Sequence, residues 1–324
     1  MLEQIALLWQ PCPTGARVLR VFGDSPCPVL PESIAGVPVT EIGPYCFSAR
    51  EPATNGKFWS PDGNPPAVSP HAICGDFIEE VTLPASLQAL HNAAFYNCRS
   101  LRTVSVGGGT LDVGSDLFTN CRALQLFTVR AWPQAPTGLR RLLGAVGADV
   151  MAAFCPEGQP LAQLFFPEYS EYLDENTPAH IFNRSIQGIG YRYRQCFAEE
   201  TLLFAEYDAA FIQADAEEPP ASLCRVALNR LLFPYNLRPE NRARYEAYLR
   251  AHPIAAYAEP IAAHAAPALR LLAGLLEESD RRAAALACGR AGWGEGAALL
   301  LAASAPQTSR HTPKRYDFSD LDAL

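Results

Sequence analysis

The chain has 324 residues, 49% of them apolar and 19% charged, with a formal net charge of −8. That composition supports a large core and excludes wholesale disorder. The basic residues form no long stripe, so phosphate-driven nucleic-acid binding is not expected, and no run of about 18 apolar residues predicts membrane insertion.

The N-terminal residues 1–11 lack the basic start and small-residue cleavage site of a secretory signal, with Glu3 where a positive charge would be expected. A cytoplasmic location is the expectation. Ten cysteines (12, 27, 46, 74, 98, 121, 155, 196, 224 and 288) are scattered without a C-x-x-C pair. The expectation is therefore free structural thiols, with no zinc knuckle, redox motif or cofactor. Residues 16–22 alternate as a short strand closed by Gly23, Asp24 and Pro26, which fits a cap on the N-terminal end of an array.

An internal repeat follows. Residues 81–101 and 104–124 carry one pattern 23 residues apart, and 39–47 holds a fragment of the same pattern. Matching positions form columns: Ile78, Leu101 and Leu124; Val81, Val104 and Phe127; Leu83, Val106 and Val129. Ile42, Leu90 and Val113 form another, and Phe47, Phe95 and Phe118 a fifth, with Cys98 and Cys121 equivalent beside them. A short fixed period predicts stacked coils in which each column becomes a continuous apolar ridge. Asn97 and Asn120 are expected to bond the turn backbone through their amides.

The run of residues 31–129 resembles the BspA-like leucine-rich repeats, whose pattern is matched nearly letter for letter at 83–101. The third copy departs where Gly107 replaces Pro84 and Thr110 replaces Leu87, which implies a looser rung. The resemblance implies a right-handed solenoid with a small sheet on one face, and a role in binding or adhesion.

Residues 48–77 interrupt the repeat with a dense set of proline, glycine and asparagine, so the expectation is a loop insertion within an LRR domain covering 1–132. Phe58 and Trp59 inside it are candidate contact residues, because aromatic side chains dominate interface hot spots. Residues 133–166 read as a connector: a short helix at 139–146, then a β-hairpin turning at Glu157-Gly158.

A polar-aromatic patch follows, with Glu168, Tyr169, Glu171 and Tyr172, then Arg192 and Arg194. Its expected use is partly structural, with arginines pairing acidic residues between packed helices, and partly a protein-binding surface. Acid–base chemistry would need Glu168, Glu171 and His180 to converge in one cleft. Helical periodicity runs from 221 onward, over 222–233, 239–250, 267–277, 280–291 and 295–303. The stretch 284–301 resembles the helix, turn and helix of an ankyrin repeat, an ankyrin-like hairpin placed at about 267–303. Residues 167–304 are expected to form a helical domain and 305–324 a flexible tail, with its acidic-apolar end a possible docking motif.

The expected fold class is α+β: a short leucine-rich-repeat β-solenoid-type array, a β-hairpin and a mostly α-helical C-terminal domain. The expected function is non-catalytic interaction with protein partners, with a cell-surface adhesin as the alternative. A hydrolase using the patch at 168–182 ranks last. No catalytic, cofactor-binding or metal-ligating constellation is present in the pattern.

Overall fold

A computed structural model of the protein describes residues 5–52, 55–61, 71–176, 181–215 and 219–302. The chain divides into two compact units, Met1–Tyr248 and Leu249–Leu324.

The first unit opens on an antiparallel hairpin, β1 (Ala6–Cys12) with β2 (Gly15–Phe22). The chain then gives β3 (Ser33–Ile34), β4 (Val37–Ile42) and β5 (Lys57–Trp59). Next come β6 (Glu80–Thr82), β7 (Ala89–Leu90), β8 (Thr103–Val106), β9 (Asp112–Val113) and β10 (Leu126–Val129). Successive coils contribute strands alternately to two sheets. One sheet runs β5-β1-β2-β4-β7-β9. Its parallel register sets Ile42 beside Leu90 and Leu90 beside Val113.

The other sheet is built from β6, β8 and β10 and continues beyond them. After α1 (Leu139–Gly144), β11 (Val150–Phe154) pairs parallel with β10, and β12 (Ala162–Phe166) closes the order β12-β11-β10-β8-β6. Val81 lies beside Val104, Val104 beside Phe127, and Val106 beside Val129. The hairpin expected as a connector is thus part of the array: β11 adds one more rung, and the antiparallel β12 ends the sheet.

Between the sheets the phenylalanine column stacks. Ring centroids of Phe47 and Phe95 are 4.9 Å apart, and those of Phe95 and Phe118 5.5 Å. Ile42, Ile78, Val81, Leu83, Leu90, Leu101, Val104, Val106, Leu124, Phe127 and Cys98 are buried with them. Val113 and Cys121, nearer the end of the array, are half-buried. The thiols do more than fill space: Cys98 Sγ donates to Phe47 O at 3.1 Å, and Cys121 Sγ to Phe95 O at 3.0 Å.

Asn97 and Asn120 differ from expectation. Their amides bond each other, Asn120 Nδ2 donating to Asn97 Oδ1 at 2.7 Å, rather than the turn backbone. Both take a left-handed backbone, φ 61° and 63°, which asparagine tolerates better than other residues with a side chain. Gly107 also differs: a Cβ there would lie 2.5 Å from Ala85 Cα, so glycine permits a close approach of two coils rather than a looser rung. Thr110, in the place of the buried Leu87, is exposed.

Two expected loop or helical stretches hold strands. Within 48–77, Lys57–Trp59 forms β5, an edge strand on β1, because Lys57, Phe58 and Trp59 find backbone partners at Trp9, Leu8 and Leu7. Within 167–304, the patch begins as an antiparallel ribbon, β13 (Ser170–Asn176) with β14 (Ile181–Gln187). Arg184 therefore pairs Glu171 across strands, at 2.7 and 3.1 Å, and not between helices. The ribbon leads to α2 (Gly190–Tyr193), where a Cβ on Gly190 would lie 2.0 Å from Pro167 O. Glycine alone fits that crossing.

A small hairpin, β15 (Phe197–Ala198) with β16 (Thr201–Leu202), precedes α3 (Phe204–Ala214), α4 (Pro220–Leu232) and α5 (Pro239–Ala251). The start of α3 lies before the expected onset of helix at 221. Helix α4 covers β12: the Arg225 guanidinium sits 3.8 Å from the Phe165 ring centroid, and Gln163 Nε2 donates to Asn229 Oδ1 at 2.9 Å.

The second unit consists, among its described residues, of the end of α5 with α6 (Pro253–Ala262), α7 (Ala266–Leu275), α8 (Glu278–Arg290) and α9 (Gly294–Ala302). Helices α6 and α7 carry proline in the first turn, where a missing N–H costs nothing. His264 stacks on Trp293 at 4.8 Å. The tail at 305–324 lies outside the described residues.

Candidate functional site

The candidate residues fall on separate elements. Phe58, on edge strand β5, is 43% exposed and leans on the Phe22 ring at 5.5 Å, while Trp59 is half-buried. Glu168 is exposed, and its N–H donates to Asp149 Oδ1 at 2.8 Å. Tyr169 is half-buried against Tyr191 at 5.6 Å. On the ribbon, Glu171 is held by Arg184 and Tyr172 is 48% exposed. Arg192 is exposed. His180 lies outside the described residues.

Arg194 does not belong to a surface. It is 3% exposed, and its N–H groups go to the carbonyl oxygens of Leu143, Val146, Pro167, Gly190 and Ala148. A guanidinium carries five donors in a rigid fork, so it can tie together carbonyls from the end of a short helix and from two turns. Its charge is buried with them, and burial brings its pKa down to about 10, against the opposing influence of Tyr169, Asp149 and Tyr207.

Two polar clusters escaped the sequence. The first surrounds Glu41 on β4. A bulge there pairs Ala16 with Val39 but Arg17 with Glu41, which aims Glu41 to the face that carries Arg17. Arg17 Nε meets Glu41 Oε2 at 2.6 Å, His91 Nε2 meets the same oxygen at 2.8 Å, and Thr14 Oγ1 donates to Oε1 at 3.1 Å. Cys12 and Thr40 complete the group through Thr14. Burial pushes the Glu41 carboxyl up, but hydrogen bonds from His91, Arg17, Cys12 and Thr14 outweigh it and hold the pKa at about 2. A carboxylate so acidic, with both oxygens engaged, is a clamp across three strands and a poor general base.

The second cluster is buried among α3, α4 and α5. Arg230 Nε and Nη2 donate to Asp208 Oδ1 and Oδ2 at 2.7 and 2.9 Å, and Tyr245 OH donates to Oδ1 at 2.8 Å. Arg230 Nη1 reaches Tyr235 O at 3.1 Å. Every strong acceptor position is filled, so this group also acts in holding helices. A lone aspartate and arginine 22 residues apart on helical faces were the only signal.

The cavities that the described residues form include two in the first unit. One, of about 590 Å³, is a groove whose walls include Pro133, Leu202, Leu203, Phe204, Tyr235 and Leu237. The other, of about 350 Å³, is lined by Arg140, Arg141, Gly144, Tyr169, Arg194 and Gln195. Among the described residues no three His, Cys, Asp or Glu side chains are placed to hold a metal ion, and no helix is long and apolar enough to cross a membrane.

The fold defines a leucine-rich-repeat β-solenoid followed by helices. Residues 67–132, about a fifth of the chain, match the BspA type leucine rich repeat region (6 copies). A solved structure from T. pallidum, titled as a leucine rich repeat protein (TpLRR), is similar at 20% identity, covering 38% of this chain and 68% of that one, with a TM-score of 0.23. No curated protein matches the chain.

Proposed function

We propose that this protein is a non-catalytic interaction module that binds another protein. One observation carries the proposal: the ribbon β13–β14 presents side chains to solvent on both faces. Glu171 and Ile186 share one face and Tyr172 and Ser185 the other, and all four are exposed. A two-stranded ribbon alone is marginal in water, so a partner that clasps both faces, covering Tyr172 on one and Ile186 on the other, would stabilise it. The polar clusters support the same reading, since Glu41 and Asp208 are consumed in holding strands and helices together.

The three helices α7, α8 and α9, at about 267–303, support, within this proposal, an ankyrin-like packing unit. The ten cysteines are free thiols, and three of them, Cys98, Cys121 and Cys196, donate to backbone carbonyls, which supports a reducing, cytoplasmic setting.

The test is cross-linking and co-purification of the full chain at native expression level, beside the double variant Tyr172→Ala/Ile186→Ala. Loss of an aromatic anchor costs about 2 kcal/mol or more, roughly thirtyfold in affinity. The variant should lose its partner while melting like wild type. Undiminished recovery of the same partner would refute the assignment to the ribbon.

A further inference from the structure

The cavity of about 350 Å³ beside α1 has a composition unlike the rest of this acidic protein. Three of its six lining residues are arginines and none is acidic. Arg194 stands at the wall as a fixed charge: its acceptors are all carbonyl oxygens, which satisfy its hydrogen bonds without supplying a counter-charge. The carboxylate of Asp149 is engaged by Arg225, Nη1 to Oδ2 at 2.8 Å, and by the Glu168 N–H.

Arg141 is partly balanced, with Nε 3.2 Å from Glu200 Oε1. Arg140 Nη1 donates to Glu199 O at 2.9 Å, again a carbonyl. Three guanidinium groups against one carboxylate leave a local charge of about two positive units, with Arg140 and Arg141 exposed at the mouth.

We propose that this cavity binds the phosphoryl group of a phosphate monoester. Such a group carries about −1.5 to −2 charge at pH 7 and three strong acceptor oxygens, which matches the surplus. A monocarboxylate would leave about one positive charge unmatched. Planar guanidinium forks suit phosphate oxygens, and two consecutive arginines at the mouth can engage them from one side. The volume lies at the small end of ligand pockets, larger than phosphate alone requires, so part of the ester's organic group enters as well. The Tyr169 ring, 5.0 Å from the Arg194 guanidinium, lines the wall. The inference stands independently of the ribbon as a protein-binding surface.

Gly144 supplies the decisive variant. A Cβ there meets nothing within 4 Å, and its backbone is not in the left-handed region, so Gly144→Glu places a carboxylate at the cavity without disturbing packing. The experiment is calorimetric titration of the full chain with phenyl phosphate, with benzoate as the monocarboxylate comparison.

Phenyl phosphate should bind and benzoate should bind at least tenfold more weakly. Arg140→Ala and Arg141→Ala should each weaken phenyl phosphate about tenfold, as expected for loss of one charge-assisted contact. Gly144→Glu should abolish binding with an unchanged melting curve, and Arg140→Glu, on an exposed side chain, repeats that test should the glycine variant unfold. A peptide bearing phosphotyrosine distinguishes the sources: tighter binding than phenyl phosphate assigns a modified protein chain, and equal or weaker binding a free small ester. Absence of phenyl phosphate binding at millimolar concentration, equal binding of benzoate, or full binding by folded Gly144→Glu would overturn the proposal.

Discussion

Phe95→Ala removes the middle ring of the interior stack. Phe95 is fully buried, with Phe47 at 4.9 Å on one side and Phe118 at 5.5 Å on the other. Truncating a buried phenylalanine costs about 3–5 kcal/mol. Each aromatic pair lost adds roughly 0.5–1.5 kcal/mol beyond the burial itself. The coils around the ring are bonded backbone to backbone, Phe47 N–H to Ala94 O at 2.8 Å and Phe95 N–H to Leu117 O at 3.2 Å. The hole therefore collapses poorly, and the cost falls near the top of the range, about 5 kcal/mol. A domain's whole stability is about 5–15 kcal/mol. In a unit of this size each kcal/mol moves Tm by about 2–4 °C, so the melting temperature should fall by roughly 10–20 °C. The assay is thermal and urea denaturation of the full chain followed by circular dichroism, with Phe95→Leu as companion. The leucine variant keeps most of the volume and should lose clearly less. An alanine variant within about 1 kcal/mol of wild type, or one indistinguishable from Phe95→Leu, would refute the stacked interior.

Glu41 should make the first unit acid-sensitive. Its folded pKa of about 2 lies below the ordinary carboxyl value of 4.5, so its contribution is present above pH 4.5 and lost as pH falls through 2. The shift corresponds to about 3 kcal/mol. Glu41→Gln should lose much of this at pH 7, and its stability should vary less between pH 5 and 2; parallel profiles for variant and wild type would count against the clamp. Asp208→Asn should destabilise by about 3–5 kcal/mol in urea, because Arg230 is left buried without a full partner; a loss under 1 kcal/mol would deny the pair its role. Asn120→Gly should be milder than Asn120→Ala, since alanine must hold the left-handed backbone at a cost of about 1–2 kcal/mol. The reverse order in melting temperature would show that the left-handed backbone is not what position 120 demands.

The repeat was legible because its signal is local and periodic. Val81, Val104 and Phe127 occupy one place in successive coils, and stacking identical coils can only align them. Handling of the turns was less legible. Asn97 and Asn120 were visible as turn residues, but two asparagines one coil apart reach each other only once the coils are superposed. Strands β13 and β14 read as part of a helical region because their sequences, SEYLDEN and IFNRSIQ, carry no regular apolar–polar alternation. Arg194 reads as a surface cation, since nothing in its sequence neighbours announces five carbonyls converging on it.

The amino-acid sequence by itself determined the coil: its length, its apolar columns and the strand each column makes, all set by side-chain period within a few residues. Only the tertiary structure decided where charge sits. Glu41 gathers partners from residues 14, 17 and 91, and Asp208 from 230 and 245. The cavity arginines come together from 140–141 and 194. These meetings depend on how distant segments pack, and a carboxylate or guanidinium has no period that records its partner in advance.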